Sequence, residues 1–213
     1  MISKRKSKSS YHHGNLRESI IIESKKWIKK HGIESLSLRE LAKKLGVTHS
    51  APSKHFPKKE ALVAELVKIG FIEFKEALQL GRKDMLTNPK EAFIKMGLHY
   101  LKFARENPEI YRLMFMNPID ILDEYPETQK AGFDSFNELF EAITYLQEKG
   151  IVRRGNTHEM CYLIWSFTHG FVLLWQDGRI GNLESSSSKP SQGKTDEQMM
   201  KELFHLIGGG ILS

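Results

Sequence analysis

The segment from Ser37 to Phe56 constrains this 213-residue chain more than any other. Ser37-Leu38-Arg39-Glu40 has the form of a capping box, in which the serine oxygen accepts from a first-turn amide and the glutamate reaches back to the cap amide. The helix it opens carries Leu38, Leu41, Ala42 and Leu45 at helical spacing and stops at Gly46. Val47 then pins the turn to a core, and Thr48 caps a second short helix. Two short helices joined by a tight glycine turn make a helix-turn-helix, although an ordinary helical hairpin has the same outline. The second element is small and polar, with Thr48, His49, Ser50, Ser53 and Lys54. Side chains of that kind let a helix approach base edges in a major groove that admits just one helix. Amides exposed at a helix N-terminus also hold phosphates.

The charge distribution supports the nucleic-acid reading. Residues 1–60 hold 15 Lys and Arg against 5 Asp and Glu, a balance of +10, whereas the remainder holds 17 against 21, a balance of −4. A basic head on a mildly acidic body suits a polyanionic partner; a solvated basic surface is the plain alternative.

The rest of the chain reads as helical. Residues 1–12 form a basic, serine-rich arm with Lys4, Arg5, Lys6 and Lys8. Apolar residues from about Asn15 to His31 (Leu16, Ile20, Trp27, Ile28) predict a helix closed by Gly32. Further helices are expected over about Lys58–Leu80, from Pro89 to about Glu106, over Glu109–Met116, Thr128–Lys149, Thr157–Gln176 and Asp196–Ile207. Pro118 and Pro126 bracket a loop, and residues 184–195 are a polar linker. No strand alternation and no repeat is visible. The expected fold is all-α: an arm over 1–12, a three-helix helix-turn-helix domain over 13–60, and a helical regulatory and dimerisation domain over 61–213.

Other chemistries find little support. Cys161, the single cysteine, lies in an apolar stretch and reads as a buried, inert thiol. The longest apolar stretch, about Met160 to Trp175, is too short for a membrane span and is interrupted by Ser166, Thr168 and His169. The first ten residues lack the apolar core of a secretory signal. A cytoplasmic, nucleoid-associated location is expected. His12-His13 has no cysteine or carboxylate cluster beside it, so no metal is expected. His158-Glu159 lacks the second histidine of a zinc helix, and Gly208-Gly209-Gly210 lacks the lysine of a phosphate loop. No Ser-His-Asp or Cys-His set is spaced for catalysis, so neither an enzyme nor a cofactor is expected.

At residues 15–66 the chain resembles the DNA-binding domain of TetR-type repressors. The run from Leu36 to Leu62 carries the resemblance, with its Leu45-Gly46-Val47 turn, its His55-Phe56 pair and Lys59-Glu60-Ala61-Leu62. Tyr11-His12-His13-Gly14-Asn15-Leu16-Arg17 and the Ala51-Pro52 step resemble one branch, named for a Trp-His-Gly signature in its C-terminal domain. Trp165, His169 and Gly170 fit that signature, and the stretch Asn107 to Phe115 is similar as well. The resemblance implies that Thr48, His49 and Ser50 face bases or nearby phosphates. It places Lys54, His55 and Lys59 along the DNA backbone, and Ser37 and Arg39 at phosphate. Ser53 departs from the family, which usually has a phosphate-touching tyrosine there. The resemblance further implies a transcription repressor acting on double-stranded, palindromic operator DNA.

A regulator of this class needs a cavity for a small, apolar effector. The body is rich in large flexible and aromatic side chains suited to lining one, and Met114, Phe136, Trp165 and His169 are the candidates. A homodimer is expected through Thr157–Gln176 and Asp196–Ile207, and the Lys58–Leu80 helix is the expected lever between domains. Two other classes stay open: a DNA-binding protein of the same fold without an effector, and a helical carrier or enzyme with an incidental basic face.

Overall fold

A computed structural model of the chain describes residues 15–116, 124–179, 195, 198, 201 and 202. Among the described residues there are seven α-helices, one 3-10 turn and no strand. The chain divides into two compact units, Met1–Leu66 and Val67–Ser213.

The first unit holds α1 (Leu16–His31), α2 (Leu38–Leu45), a 3-10 turn (Pro52–Lys54) and the first turns of α3 (Lys59–Gly81). Asn15 caps α1, accepting from the Glu18 amide at 3.3 Å. Ser37 caps α2, accepting from the Glu40 amide at 3.1 Å, which is the serine half of the expected capping box. Gly46 ends α2 at φ 68°, a left-handed conformation that any side chain would strain. The Val47 amide then reaches the Ala42 carbonyl at 3.0 Å, which closes the helix end. Ile20, Ile28, Leu36, Leu41, Phe56, Leu62 and Leu66 are buried and form the core of this unit. Arg17 joins α1 to α3 through Glu65 at 2.9 Å and lies over the Phe56 ring at 5.3 Å.

The element after the turn differs from the expected helix. Ala51 N–H donates to Thr48 O, Lys54 N–H to Ala51 O and His55 N–H to Pro52 O, all three-residue spans, and no side chain caps the turn. The cause is Pro52. It has no N–H to give to the Thr48 carbonyl, so that carbonyl takes the nearer Ala51 amide and the segment tightens into 3-10 geometry. Pro52 is also among the fully buried side chains, so the residue that costs the helix a bond anchors the segment in the core.

The second unit holds the rest of α3 with α4 (Pro89–Glu106), α5 (Pro108–Met116), α6 (Pro126–Glu148) and α7 (Thr157–Gln176). Helix α7 has the span read from the sequence. Asn156 caps it, accepting from His158 N–H at 3.0 Å and Glu159 N–H at 3.4 Å. Helices α3 and α4 approach closely at Gly81, where a Cβ would lie 2.6 Å from Met96 Cα, so only glycine fits without moving backbone. Buried Glu138 on α6 pairs with Arg82 Nε at 2.9 Å, in the turn that follows α3, and accepts from Gln79 Nε2 of α3 at 2.8 Å. Of the expected last helix, only residues 198, 201 and 202 are described, and all three are helical. The basic arm, His12-His13 and the Pro118 loop lie outside the described residues.

Candidate functional site

The polar residues singled out in the first unit occupy one continuous stretch. Thr48, His49, Ser50, Ser53, Lys54 and His55 are all exposed on the turn, and Arg39 is exposed on α2. Thr48 to Ser50 lie in the turn closed by Ala51 N–H on Thr48 O, Ser53 and Lys54 lie in the 3-10 segment, and the buried Pro52 and Phe56 fix its depth in the core. Ser37 is half-buried; its oxygen is taken up by the Glu40 amide, and its hydroxyl proton remains to donate. Lys59 is half-buried and already engaged: its ammonium donates to Ile33 O at 2.9 Å and Glu34 O at 3.1 Å. It thereby ties the α1–α2 connection to α3, with one of its three donor positions left for a phosphate.

The second unit encloses a cavity of about 580 Å³. Met114, Phe136 and Trp165 line it, as do Phe71 and Phe74 from α3 and Phe115 from α5. Exposed Phe133 and Tyr162 belong to the lining too and mark where it meets solvent. On α6 the lining positions are Gln129, Gly132, Phe133, Ser135, Phe136 and Leu139, one face of the helix at three- and four-residue spacing.

His169 stands behind the lining rather than in it. Its Nδ1 lies 2.7 Å from the Tyr111 hydroxyl and 3.2 Å from the Tyr100 hydroxyl, and the two hydroxyls are 2.7 Å apart. Tyr100 lines the cavity and Tyr111 is fully buried. Burial holds the His169 imidazole below its usual pKa and pushes both phenols above theirs. Tyr100 and Tyr111 escaped the sequence reading, in which aromatic residues at helical spacing register simply as core. Cys161 is fully buried and desolvation pushes its thiol up to about 11, which suits packing and not nucleophilic chemistry. Among the described residues no group of three or more His, Cys, Asp or Glu side chains could hold a metal ion. Among them, too, no helix is long and apolar enough to cross a membrane.

Comparison with known proteins assigns both halves. Residues 20–66 match the family described as bacterial regulatory proteins, tetR family, and residues 93–191 match the tetracyclin repressor-like C-terminal domain. The chain carries a TetR-family DNA-binding domain and a TetR-type C-terminal domain. The TetR family consists of DNA-binding transcription regulators, so the chain is a regulator and not an enzyme. A Rhodococcus protein of unknown function is similar at 25% identity over 97% of this chain and 100% of its own, with a TM-score of 0.82. The TetR-family regulator PfmR of Thermus thermophilus shares the fold at 18% identity, covering 88% of this chain and 96% of its own, with a TM-score of 0.62. The fatty acid degradation regulator FadR of Bacillus halodurans shares it at 16% identity, covering 95% and 96%, with a TM-score of 0.69. The comparison with curated proteins gave no match.

Proposed function

We propose that this regulator is a cytoplasmic, ligand-responsive repressor that binds a palindromic operator as a homodimer. The observation that carries the reading is the aromatic cavity of about 580 Å³ in the C-terminal unit of a chain whose N-terminal unit is a helix-turn-helix. That volume falls within the roughly 300–1,000 Å³ of small-molecule sites. An effector that binds the cavity more tightly in one conformation than in another shifts the population, and DNA affinity follows. Membership of the Trp-His-Gly branch is part of the proposal. It is supported by Trp165 in the cavity wall and by His169 bonded to a wall tyrosine.

Thr48, His49 and Ser50 meet base edges, with Ser53, Lys54 and His55 beside them. Ser37, Arg39 and the remaining donor of Lys59 meet phosphate, and the basic arm over residues 1–12 adds charge. Lys54 gives the cleaner test of phosphate contact, because Lys59 also holds two carbonyls. Lys54→Ala is expected to weaken binding to every sequence and lower the salt slope by about 1, whereas His49→Ala changes sequence preference. Fluorescence anisotropy on an operator selected from random DNA, at several salt concentrations, measures both. Wild-type behaviour of both variants overturns this placement of the recognition turn.

Effector binding is expected to raise the melting temperature and release the operator. A screen of neutral and charged apolar compounds by thermal shift, followed by operator release, finds such compounds. Leu139→Trp fills the α6 side of the cavity with an indole and is expected to abolish the thermal shift while leaving operator binding intact. A screen with no shift, or shifts that survive Leu139→Trp, removes the effector reading and leaves a DNA-binding protein without one.

The dimer forms through α7 and the helix that follows the linker. Tyr162, Leu163 and Leu174 are exposed apolar residues of α7. Between them a Cβ on Gly170 would meet nothing within 4 Å in this chain. Two helices from each subunit then make a four-helix bundle. Its two recognition turns enter successive major grooves when they stand about 34–36 Å apart.

A further inference from the structure

We propose that the cavity takes an uncharged ring compound carrying one hydroxyl or carbonyl oxygen, held at Tyr100 by a relay of Tyr100, Tyr111 and His169. This rests on the reading of the cavity as the effector site and narrows it to a chemical class.

Charge is excluded by the wall. Among the described residues that line the cavity there is no lysine, arginine, aspartate or glutamate. A carboxylate, phosphate or ammonium entering it loses hydration and meets no opposite charge. His158 lines it as well, but from an exposed position where its ring packs, tilted, against Phe140 at 4.6 Å. The aromatic wall favours rings, since Phe74, Phe115, Phe136 and Trp165 offer faces and edges for stacked and edge-on contact.

Two hydroxyls in the wall have spent their protons. Ser135 donates to Gly132 O at 2.7 Å and Thr168 donates to Ile164 O at 2.8 Å, each within its own helix. Tyr100 differs: its oxygen also has the Trp165 indole as a partner, which leaves one acceptor position, and its hydroxyl belongs to a triangle of three polar atoms that can arrange their protons in two ways. With Nδ1 of His169 unprotonated, Tyr111 donates to it, Tyr100 donates to the Tyr111 oxygen, and the Tyr100 oxygen accepts from a ligand hydroxyl. With the proton on Nδ1, His169 donates to Tyr111, Tyr111 donates to Tyr100, and the Tyr100 proton goes to a ligand carbonyl. Both arrangements keep the imidazole neutral, as its burial favours. One anchor therefore serves either oxygen, and its inner partners are held in place by packing.

Isothermal titration of the full chain with 2-naphthol, naphthalene and 2-naphthoate at neutral pH tests this. The ring system is constant and the end group varies. We expect 2-naphthol to bind about tenfold more tightly than naphthalene, and 2-naphthoate at least tenfold more weakly than 2-naphthol. Tyr100→Phe should bring 2-naphthol to the level of naphthalene and leave naphthalene itself unchanged, a change in ratio that loss of packing alone does not produce. Tightest binding by 2-naphthoate, no binding by any of the three, or a hydroxyl preference that survives Tyr100→Phe overturns the proposal. If the broader screen still finds charged effectors that release the operator, this inference falls alone. If that screen is empty as well, the effector reading falls with it.

Discussion

Leu163→Glu is expected to turn this regulator into a monomer that holds its operator at least a hundredfold less tightly. Leu163 is 53% exposed in the single chain, with Tyr162 at 54% and Leu174 at 47% on the same helix. Leu163 and Leu174, eleven residues apart, share one side of α7, and exposure of that extent on large apolar side chains describes a face awaiting a partner. A glutamate in the middle of that face puts a carboxylate into a buried interface, where an unpaired charge costs several kcal/mol. Losing the dimer removes half of the DNA contacts, and one short recognition turn offers too few for specific binding at physiological salt. Sedimentation velocity reads the oligomeric state and anisotropy reads the affinity. Wild-type protein sedimenting as a monomer at micromolar concentration with full operator affinity overturns the dimer and the half-site spacing that depends on it. So does a dimeric Leu163→Glu variant that binds as wild type.

The fold was legible where local chemistry decided it. The helical pattern over Thr157–Gln176 begins where Asn156 caps α7; Ser37 and Gly46 bound α2 by a cap and a left-handed stop that are both local. The helical hydrophobic period carried the remaining helices, because each needs one apolar stripe and nothing distant. Legibility ended where partners are far apart in the chain. Tyr100, Tyr111 and His169 lie on three different helices, and no periodicity shows that their polar ends meet. The family resemblance places Lys59 along the DNA backbone, yet its ammonium holds carbonyls 25 and 26 residues away. In the recognition segment the expected short helix tightens to a 3-10 turn for a local reason, the missing N–H at Pro52.

Glu138→Ala is expected to cost the C-terminal unit about 3 kcal/mol of stability, a figure at the lower end of what removing one partner of a buried ion pair costs. Glu138 is 4% exposed. Its carboxylate faces Arg82 Nε at 2.9 Å, Gln79 Nε2 at 2.8 Å and, more distantly, Lys75 at 3.9 Å. Truncation leaves the Gln79 amide without its acceptor and removes the main carboxylate partner of Arg82. Arg82 keeps a second partner in Glu141 at 2.6 Å and retains some access to water, which is why the lower end of the range applies. For a unit of this size about 3 kcal/mol lowers Tm by roughly 6–12 °C. The charge pair and its burial can be separated. If stability came from the ion pair itself, Glu138→Leu combined with Arg82→Met would be worse than either single change. Desolvation makes the opposite outcome the expected one, because replacing both partners by apolar side chains of similar size leaves no buried charge. The double variant should recover at least half of what Glu138→Ala loses. Thermal melts followed by circular dichroism give the four corners of the cycle. A Glu138→Ala variant within about 0.5 kcal/mol of wild type would show that water reaches this contact and that the α3–α6 packing rests on its apolar residues alone.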